Sequence, residues 1–551
     1  MPAITYKAPA DYTQAEYQKL LNSWESEHAA SADRKDIAIV GAGMSGLLCG
    51  WLLRRAGHRV RVYEANNIPG GRVKTMRDGF TNGLYAEAGA MRIPVKHRLT
   101  LGLVAQFGLS TWNFQNACEQ TFLHFGNKRT PRSKIKGAKL GPLGMFGLAQ
   151  SDPCYAQPAE QIFILCLENY IRRQCDLPDS FTLDAIDGNS ASAEDQRTFH
   201  RIRAALDVLS LREFLKDEAY LSREKKAETK LSPAAQDFVV LLENLESLLS
   251  NSMTAILDDL LALSSAEYKQ IAGGMDLLPK RLAEEVAEIT EYNQRVVVVD
   301  TNEHLRNDRV YVELENRATG NKSIRKFDLI VYAIPFTGLR HIRTNGFTDF
   351  AKRRAIRQLH YDNACKVVLE FSEPFWDEDK ITGGSTITDF PIRRIVYPIN
   401  EQHEGRHGHC VLLASYTWGA DSLRWSALKP HDRIRHALSD VAQVHGTTYE
   451  ELAPKCVGGM SHTWDQDEFA SGAFALFEPY QLGDLFSDVW RPSGMSHYCG
   501  EHTSLKHGWI EGAVESAIRC ASEICSRIEA DPELTETHEV SKGPELAATS
   551  K

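Results

Sequence analysis

Residues 36–64 read DIAIVGAGMSGLLCGWLLRRAGHRVRVYE, and this stretch decides the fold. The β-branched run Asp36–Val40 predicts a buried strand, and residues 58–63 predict a second strand. Between them lie the glycine-rich turn Gly41-Ala42-Gly43-Met44-Ser45-Gly46 and a helical pattern with one apolar face. A strand, a tight glycine turn and a helix in this order are typical of a dinucleotide-binding fold.

Each part of this turn has a mechanical role in holding a dinucleotide. Gly41 permits the tight turn, Gly43 lets a pyrophosphate approach the backbone, and Gly46 lets the helix pack against the strand. The helix N-terminus offers free N–H groups and a partial positive charge to phosphates. Glu64 ends the second strand, where it can accept hydrogen bonds from a ribose hydroxyl. A lone glycine motif is weak evidence, but this context favours dinucleotide binding over a structural turn.

The composition is that of an ordinary globular protein with two or three structural units. The chain has 551 residues, of which 25% are charged and 43% hydrophobic, and its net charge is −10. This acidic balance argues against nucleic acid and anionic membranes as partners. We see neither a secretion signal nor a transmembrane run, and the eleven cysteines have no metal-ligand spacing. We therefore expect a cytoplasmic protein with reduced cysteines and no metal site.

Other stretches carry further structural signals. In residues 69–72 (PGGR), the paired glycines allow the backbone to approach a phosphate closely. The guanidinium of Arg72 offers several N–H donors to the same group. Residues 238–263 carry an apolar stripe at helical spacing, which we assign to the core without any chemistry. The runs at 295–300, 310–314 and 329–333 predict strands that complete the nucleotide-binding sheet.

Four separated motifs resemble the flavin amine oxidase superfamily, and within it the L-amino acid oxidase family. They read GAGMSG…E, PGGRV…GAMRIPVKHR, GGSTITDFPIRRIVYP and GEHTSLKHGWIEGA, and the resemblance spans residues 36–525. It implies an α/β fold: a Rossmann-like FAD-binding domain assembled from discontinuous segments, a mixed-sheet substrate domain and a helical domain. It also favours FAD over NAD, because the GGR and GEHT…HGW segments of this family contact the flavin on both sides.

The residue pattern and the resemblance together give domain boundaries and a set of FAD-binding residues. The expected boundaries are an N-terminal arm (1–35), FAD-binding segments (36–100, 266–344 and 456–528), a mainly helical domain with part of the substrate domain (101–265), the substrate-binding domain (345–455) and a disordered tail (529–551). The residues expected to bind FAD are Gly41, Ala42, Gly43, Met44, Ser45, Gly46, Glu64, Ala65, Gly71, Arg72, Gly89, Ala90, Met91, Arg92, Val297, Gly500, Glu501, Gly508, Trp509 and Ile510.

The resemblance also assigns catalytic roles, and the chemistry of an amino acid explains them. A desolvated carboxylate needs a matched partner. The family places Arg92 as a bidentate partner of that carboxylate and Tyr397 as a second donor. It implies that the Gly508 carbonyl accepts from the substrate amine and that Trp509 forms an aromatic wall. Lys366 resembles the lysine that holds a water near flavin N5 and assists the reaction with oxygen.

Phe474 is informative because it departs from a related pattern. In monoamine oxidases the similar segment carries a cysteine joined covalently to the flavin, so Phe474 implies that FAD is held non-covalently here. Phe474 and Trp464 are expected to border the substrate side-chain pocket and to favour apolar or aromatic side chains. The sequence does not identify a general base; His462, His502 and His507 are candidates by composition only.

The expected function is oxidative deamination of L-amino acids. Hydride would pass from Cα to flavin N5, and oxygen and water would complete conversion to a 2-oxo acid, ammonia and hydrogen peroxide. Three alternatives stay open: an L-amino acid 2-monooxygenase that yields an amide and CO₂, an amine oxidase without a carboxylate requirement, and a non-catalytic flavin-binding protein. We expect a homodimer or a higher homo-oligomer that uses an L-amino acid and oxygen, with no nucleic acid or membrane partner.

Overall fold

The structure is a computed structural model. It describes residues 6–24, 34–81, 83–134, 148, 152, 154, 157–185, 193–219, 229–263, 267–301, 309–346, 349–399 and 408–529. The tail predicted to be disordered, 529–551, lies outside these residues except for its first position.

The described residues form helices and strands throughout. The strands are β1 (Asp36–Val40), β2 (Arg59–Tyr63), β3 (Thr75–Met76), β4 (Ala86–Glu87), β5 (Ile93–Pro94), β6 (Thr111–Phe114), β7 (Phe122–Phe125), β8 (Lys128–Pro131), β9 (Tyr268–Ile271), β10 (Thr290–Glu291), β11 (Gln294–Asp300), β12 (Val310–Asn316), β13 (Lys322–Phe327), β14 (Leu329–Tyr332), β15 (Arg343–Asn345), β16 (Tyr361–Asp362), β17 (Ala364–Phe371), β18 (Ser385–Thr388), β19 (Arg394–Val396), β20 (Cys410–Trp418), β21 (Cys456–Thr463), β22 (Phe474–Ala475) and β23 (Ser496–Tyr498). The α-helices are α1 (Gln14–Asn22), α2 (Met44–Arg55), α3 (Arg98–Gln106), α4 (Ala159–Gln174), α5 (Ala193–Asp207), α6 (Leu211–Glu213), α7 (Pro233–Leu242), α8 (Met253–Leu263), α9 (Leu277–Glu285), α10 (Phe336–Leu339), α11 (Phe350–Gln358), α12 (Gly419–Ser426), α13 (Pro430–Val444), α14 (Tyr449–Leu452), α15 (Gln481–Trp490) and α16 (Ile510–Glu529).

A parallel sheet organises the nucleotide-binding part of the chain. Its strands lie in the order β10-β2-β1-β14-β23, and every neighbouring pair is parallel. β1 and β2 belong to the first segment, β10 and β14 to a segment some 230 residues or more further on, and β23 to the C-terminal segment. The prediction of a Rossmann-like domain assembled from discontinuous segments is therefore confirmed.

The turn between β1 and α2 is as tight as its glycines suggest. Gly41 has a φ of +101°, which a side chain rarely tolerates, and its N–H donates to the Tyr63 carbonyl at 2.8 Å. A Cβ added to Gly46 would lie only 2.0 Å from the Gly41 carbonyl oxygen. Glycine at position 46 therefore lets α2 approach the end of β1.

A second, larger sheet supports the opposite side of the site. Its order is β21-β17-β20-β19-β18-β7-β8, with parallel pairing of β18 with β7 and antiparallel pairing elsewhere, which confirms the expected mixed sheet. Smaller sheets have the orders β13-β12-β11-β15 and β5-β9-β6, and the pairs β16-β22 and β3-β4 complete the set in the described residues.

One prediction about strand pairing was wrong, and one predicted helical stripe is divided. The runs at 295–300 and 310–314 are strands, β11 and β12, but they pair in a separate four-stranded sheet rather than in the nucleotide-binding sheet. The apolar stripe at 238–263 is divided between α7 and α8, because Asn244 takes a φ of +56° and ends the first helix. None of the helices in the described residues combines the length and the apolar character needed to cross a membrane.

We expect Gly46→Ala to destabilise the protein, because its Cβ would collide with backbone that cannot move without opening the turn. Overpacking of this kind costs about 1–3 kcal/mol or more. Urea unfolding followed by circular dichroism measures this loss.

Gly102→Ala is the matched control, because Gly102 lies in α3 and an added Cβ there meets no atom within 4 Å. This variant should be neutral or gain about 0.5–1 kcal/mol from helix propensity. Equal stability of the two variants would contradict the packing role of Gly46.

Candidate active site

A cavity of about 700 Å³ lies where the separated motifs meet. Its lining includes residues 41 and 43–45 of the first glycine turn, 63–75, 88–92, 294–296, 473–474, 500–501 and 505–510. It runs from the carboxyl ends of β1 and β2 to the face of the large mixed sheet, where Lys366, Tyr416 and Trp418 line it. The carboxyl ends of parallel strands are the usual ligand-binding edge of such a sheet.

The end of the cavity beside β1 and β2 is arranged like a nucleotide site. Glu64 is buried, and its carboxylate accepts from the Ala42 N–H at 2.7 Å and the Asn66 N–H at 2.8 Å. Burial raises the pKa of Glu64, and these backbone bonds oppose that shift. A Cβ added to Gly43 would meet open space, so the backbone at the start of α2 is accessible from the cavity. These features fit a ribose and a pyrophosphate.

An ion pair joins motifs that are more than 400 residues apart. Arg72 Nη1 donates to Glu501 Oε1 at 2.6 Å and to the Ala473 carbonyl at 3.2 Å. The same Glu501 carboxylate accepts from the Ala475 N–H at 3.2 Å and the Gly508 N–H at 3.1 Å. Because both ionic groups are largely buried, the pair fixes the backbone around the predicted flavin-contacting segments.

Arg92 is the cationic group at the opposite end of the cavity. Its guanidinium lies 5.3 Å from the Tyr268 ring centre, 5.8 Å from that of Phe114 and 6.0 Å from that of Trp509, and it donates to the Asn116 side-chain oxygen. Aromatic faces attract a cation but leave its in-plane donors free for a carboxylate. The surroundings of Arg92 therefore suit a bidentate anion.

Lys366 lies in the cavity wall, and Glu87, which is outside the lining, interacts with it electrostatically. Lys366 is buried in β17 and donates to the carbonyls of Gly89 at 2.7 Å and Glu87 at 3.1 Å. Burial lowers the pKa of Lys366 to about 7, with Glu87 opposing this shift. Burial likewise raises the pKa of Glu87 to about 7. An amine whose pKa is lowered by burial, beside a carboxyl group whose pKa is raised by burial, is suited to proton transfer.

Aromatic side chains form most of the remaining wall. Tyr416, Trp418, Trp464, Phe474 and Trp509 all line the cavity. Trp418 packs edge-on against Phe474, and the Trp464 indole donates to the Ala88 carbonyl at 3.0 Å. Such rings exclude water and offer an apolar surface to a substrate side chain.

Most of the residues predicted from the motifs line this cavity, and four do not. The lining residues are Gly41, Gly43, Met44, Ser45, Glu64, Ala65, Gly71, Arg72, Gly89, Ala90, Met91, Arg92, Lys366, Phe474, Gly500, Glu501, Gly508, Trp509 and Ile510. The exceptions are Ala42, Gly46, Val297 and Tyr397. Ala42 donates its N–H to Glu64, and Gly46 lets α2 pack closely against the turn. Both residues shape the site without lining the cavity. In β11 it is Val296, not Val297, that lines the cavity.

Tyr397 is the main correction among the predicted catalytic residues. It is buried in a separate hydrophobic core with Trp376, and its hydroxyl already pairs with Thr386 at 3.0 Å and with His445 Nε2 at 2.9 Å. The chain leaves β19 at Val396, so Tyr397 lies just beyond the strand rather than at the cavity. Its predicted contact with a substrate carboxylate does not fit this geometry.

The three histidines named from composition occupy different positions. His507 lines the cavity, and its Nε2 has no hydrogen-bond partner among the described residues. His462 packs on Trp464 outside the lining, and burial lowers its pKa to about 4. His502 is fully buried against Phe336, and burial lowers its pKa as well. Of the three, His507 alone lines the cavity.

Sequence reasoning missed several residues around Arg92 and Lys366. They are Glu87, Asn116, Asp259 and Tyr268. Asp259 lines the cavity and accepts from the Trp509 side chain; burial raises its pKa to about 6, and Arg92 opposes this shift. The pair Asp258-Asp259 interrupts an apolar helix, and that interruption was the available signal.

The fold and the lining of the cavity define a flavoprotein oxidoreductase. The chain belongs to the family of flavin-containing amine oxidoreductases, whose sequence pattern matches residues 44–525. YobN of Bacillus subtilis (strain 168) is 32% identical over 90% of this chain and 96% of its own length. An L-amino-acid oxidase of Siganus canaliculatus is 30% identical over 92% of this chain and 89% of its own. The structure of cyclohexylamine oxidase from Brevibacterium oxydans IH-35A covers 90% of this chain and 100% of its own, with a TM-score of 0.65 and 18% identity.

The residues of this chain fit the flavin cofactor of that family. The accessible backbone at Gly43, the fixed carboxylate of Glu64 and the rigid segment around Glu501 line one continuous cavity. We expect Glu64→Ala to weaken flavin binding about 5- to 150-fold, because it removes the acceptor of two backbone N–H groups. This range corresponds to about 1–3 kcal/mol for unsatisfied buried groups.

Fluorescence titration of the deflavinated protein with flavin measures this change. Glu288→Ala is the control, because Glu288 has the same side chain at a site that is 66% exposed. Flavin affinity of the Glu64→Ala variant equal to that of the control would remove Glu64 from the cofactor site.

Proposed function

We propose that this protein is an FAD-dependent L-amino acid oxidase. It would convert an L-amino acid, oxygen and water to a 2-oxo acid, ammonia and hydrogen peroxide. The observation that carries this proposal is the position of Arg92, a guanidinium among aromatic rings in the cavity that also contains Lys366. The relative from Siganus canaliculatus, which bears the name L-amino-acid oxidase, supports the same activity.

Arg92 selects the substrate class through its charge. A substrate carboxylate that enters this aromatic surrounding loses its water and needs a bidentate donor in return. A simple amine offers no such group, so Arg92 favours amino acids over their decarboxylated analogues. The aromatic wall of Trp418, Trp464 and Phe474 favours apolar or aromatic side chains.

The other residues orient the substrate and exclude water. With the carboxylate held at Arg92, the Gly508 carbonyl is the acceptor proposed for the substrate amine, and Trp509 closes the cavity beside it. Fixing both groups restricts the direction of the Cα–H bond, which is the main entropic contribution of such a site. A flavin held in this cavity would supply the hydride acceptor and the redox chemistry with oxygen.

The proposed cofactor is FAD, held without a covalent bond. The site beside Glu64 and Gly43 has the form required by the ribose and pyrophosphate of a dinucleotide. Phe474 occupies the segment where related enzymes carry a flavin-linked cysteine. No cysteine lines the described part of the cavity, which supports non-covalent binding.

Lys366 is the residue proposed to serve the reaction with oxygen. Its amine lies in the cavity wall, anchored by two carbonyls, and its lowered pKa places its titration near neutral pH. In that position it can hold a water molecule and deliver a proton, while Glu87 stabilises its charged form.

We expect Arg92→Ala to raise KM for an amino acid such as L-phenylalanine and to lower kcat/KM about 30- to 900-fold. This range corresponds to about 2–4 kcal/mol for truncating one partner of a buried charge pair. Activity toward phenethylamine, which lacks the carboxylate, should not decrease in parallel. Steady-state peroxide assays with both compounds make the comparison.

Arg98→Ala provides the control, because Arg98 is an exposed arginine on the same segment. If Arg92→Ala and Arg98→Ala have the same kcat/KM for the amino acid, Arg92 does not bind its carboxylate. Product analysis of the wild-type reaction must give the 2-oxo acid and peroxide; an amide and CO₂ would identify a monooxygenase instead.

Lys366→Met should slow reoxidation of the reduced flavin by oxygen about 100-fold, the lower end of the effect of a positioned proton donor. Anaerobic reduction by the amino acid should change much less, because Lys366 is not proposed to touch the substrate. Stopped-flow absorbance separates the two half-reactions. Lys455→Met, on the surface beside Glu373, is the control. An unchanged reoxidation rate in the Lys366→Met variant would exclude this role.

A further inference from the structure

Three cysteines from distant parts of the chain meet behind the nucleotide-binding turn. Cys49 lies in α2, Cys499 directly follows β23, and Cys520 lies in α16. Their sulfur atoms all lie within 4.8 Å of one another, the three side chains are fully buried, and all three are free thiols. None of them lines the cavity, so the proposed reaction makes no use of this cluster.

A buried histidine beside the cluster points to a ligand. His497, in β23, is fully buried, yet neither ring nitrogen has a hydrogen-bond partner among the described residues. Leaving such a group unsatisfied costs about 1–3 kcal/mol, so it requires an explanation. One ring nitrogen of His497, the Cys520 sulfur and a Glu523 carboxylate oxygen lie within 4.8 Å of one another.

The three thiols, together with the imidazole of His497 next to Cys520, are the donor types of a structural zinc site. Zinc is typically held by three thiolates and one imidazole in a closed tetrahedron, with Zn–S distances of about 2.3 Å. Sulfur atoms in such a tetrahedron are about 3.8 Å apart, a separation that the observed cluster accommodates. Full burial leaves no open position for a substrate or water, which argues for a structural role.

The groups around the cluster also suit a bound cation. Glu523 Oε2 lies 4.0 Å from His497 Nδ1, beyond hydrogen-bond distance, and has no hydrogen-bond partner among the described residues. A carboxylate beside a metal-binding histidine is typical of carboxylate–histidine–zinc arrangements. Three thiolates and one Zn²⁺ carry a net charge of −1. The buried guanidinium of Arg519 donates to Glu523 at 2.6 Å and neutralises that carboxylate, so the three thiolates and the ion keep their net charge of −1.

We propose that Cys49, Cys499, Cys520 and His497 bind one structural zinc ion. The ion would connect α2, the end of β23 and α16, and so fix the segment that leads into Gly500 and Glu501. The sequence-based expectation of no metal site failed to anticipate this cluster, because its members are separated by hundreds of residues and only the fold brings them together. Neither the amino acid substrate nor the flavin is needed for this site.

Metal analysis and X-ray absorption of the flavin-loaded protein test the proposal. The protein is purified without a polyhistidine tag or chelators from zinc-supplemented cells. We expect one zinc ion per chain, with a coordination shell of three sulfur atoms at about 2.3 Å and one nitrogen at about 2.0–2.1 Å. Protein without stoichiometric zinc, or zinc with a shell of oxygen and nitrogen only, would overturn the proposal.

Variants assign the ligands independently of activity. Cys520→Ser should retain less than a tenth of the wild-type zinc and have a lower Tm, whereas Cys166→Ala, a buried cysteine of α4 outside the cluster, should retain all of it. If Cys520→Ser does not fold, His497→Gln keeps the three thiols and should lose zinc to a chelator at least ten times faster than the wild type. Equal zinc content and equal chelator resistance in all of these proteins would contradict the assignment.

Discussion

The site depends on how a guanidinium is accommodated among aromatic rings. Arg92 lies among the rings of Phe114, Tyr268 and Trp509, which stabilise its charge but do not satisfy its donors as an anion would. The proposed activity follows from this arrangement, because the carboxylate of an amino acid is the group that completes it. The Asp259 carboxyl group also interacts electrostatically with Arg92. The positive charge of Arg92 would therefore be offset by Asp259 as well as by a bound carboxylate.

Arg92 can serve the proposed reaction only because bonds between distant segments fix its position relative to the proposed cofactor site. The Arg72–Glu501 pair joins the first segment of the chain to the last, and Glu501 also fixes the Gly508 backbone. The Lys366 amine, from the mixed sheet, bonds to carbonyls that lie three to five residues before Arg92. These bonds connect the segments proposed to hold the nucleotide, the flavin and the substrate in one cavity.

The parts of the fold that depend on local chemistry were predictable from the sequence. The β1–α2 turn follows from its glycines, and Glu64 follows from its spacing after that turn. The role of Tyr397 was misjudged, because its motif context gave no sign that its hydroxyl pairs with Thr386 and His445.

Features that depend on long-range packing were not accessible in this way. Asp259 reaches the cavity, and Glu87 comes close to Lys366, only because sheets and helices from separate segments meet there. The pairing of β11 with β12 likewise depends on tertiary contacts. The break between α7 and α8 depends on one residue with positive φ, Asn244. Periodicity predicts an element but not which neighbour it pairs with.

A crystal structure of the flavin-loaded protein with 2-aminobenzoate, an aromatic carboxylate that cannot be oxidised at a Cα, tests the central claim most directly. We predict that both carboxylate oxygens lie about 2.7–2.9 Å from guanidinium nitrogens of Arg92, with the ring against the aromatic wall. A carboxylate bound elsewhere in the cavity, with Arg92 still paired only to groups of the chain, would contradict the account.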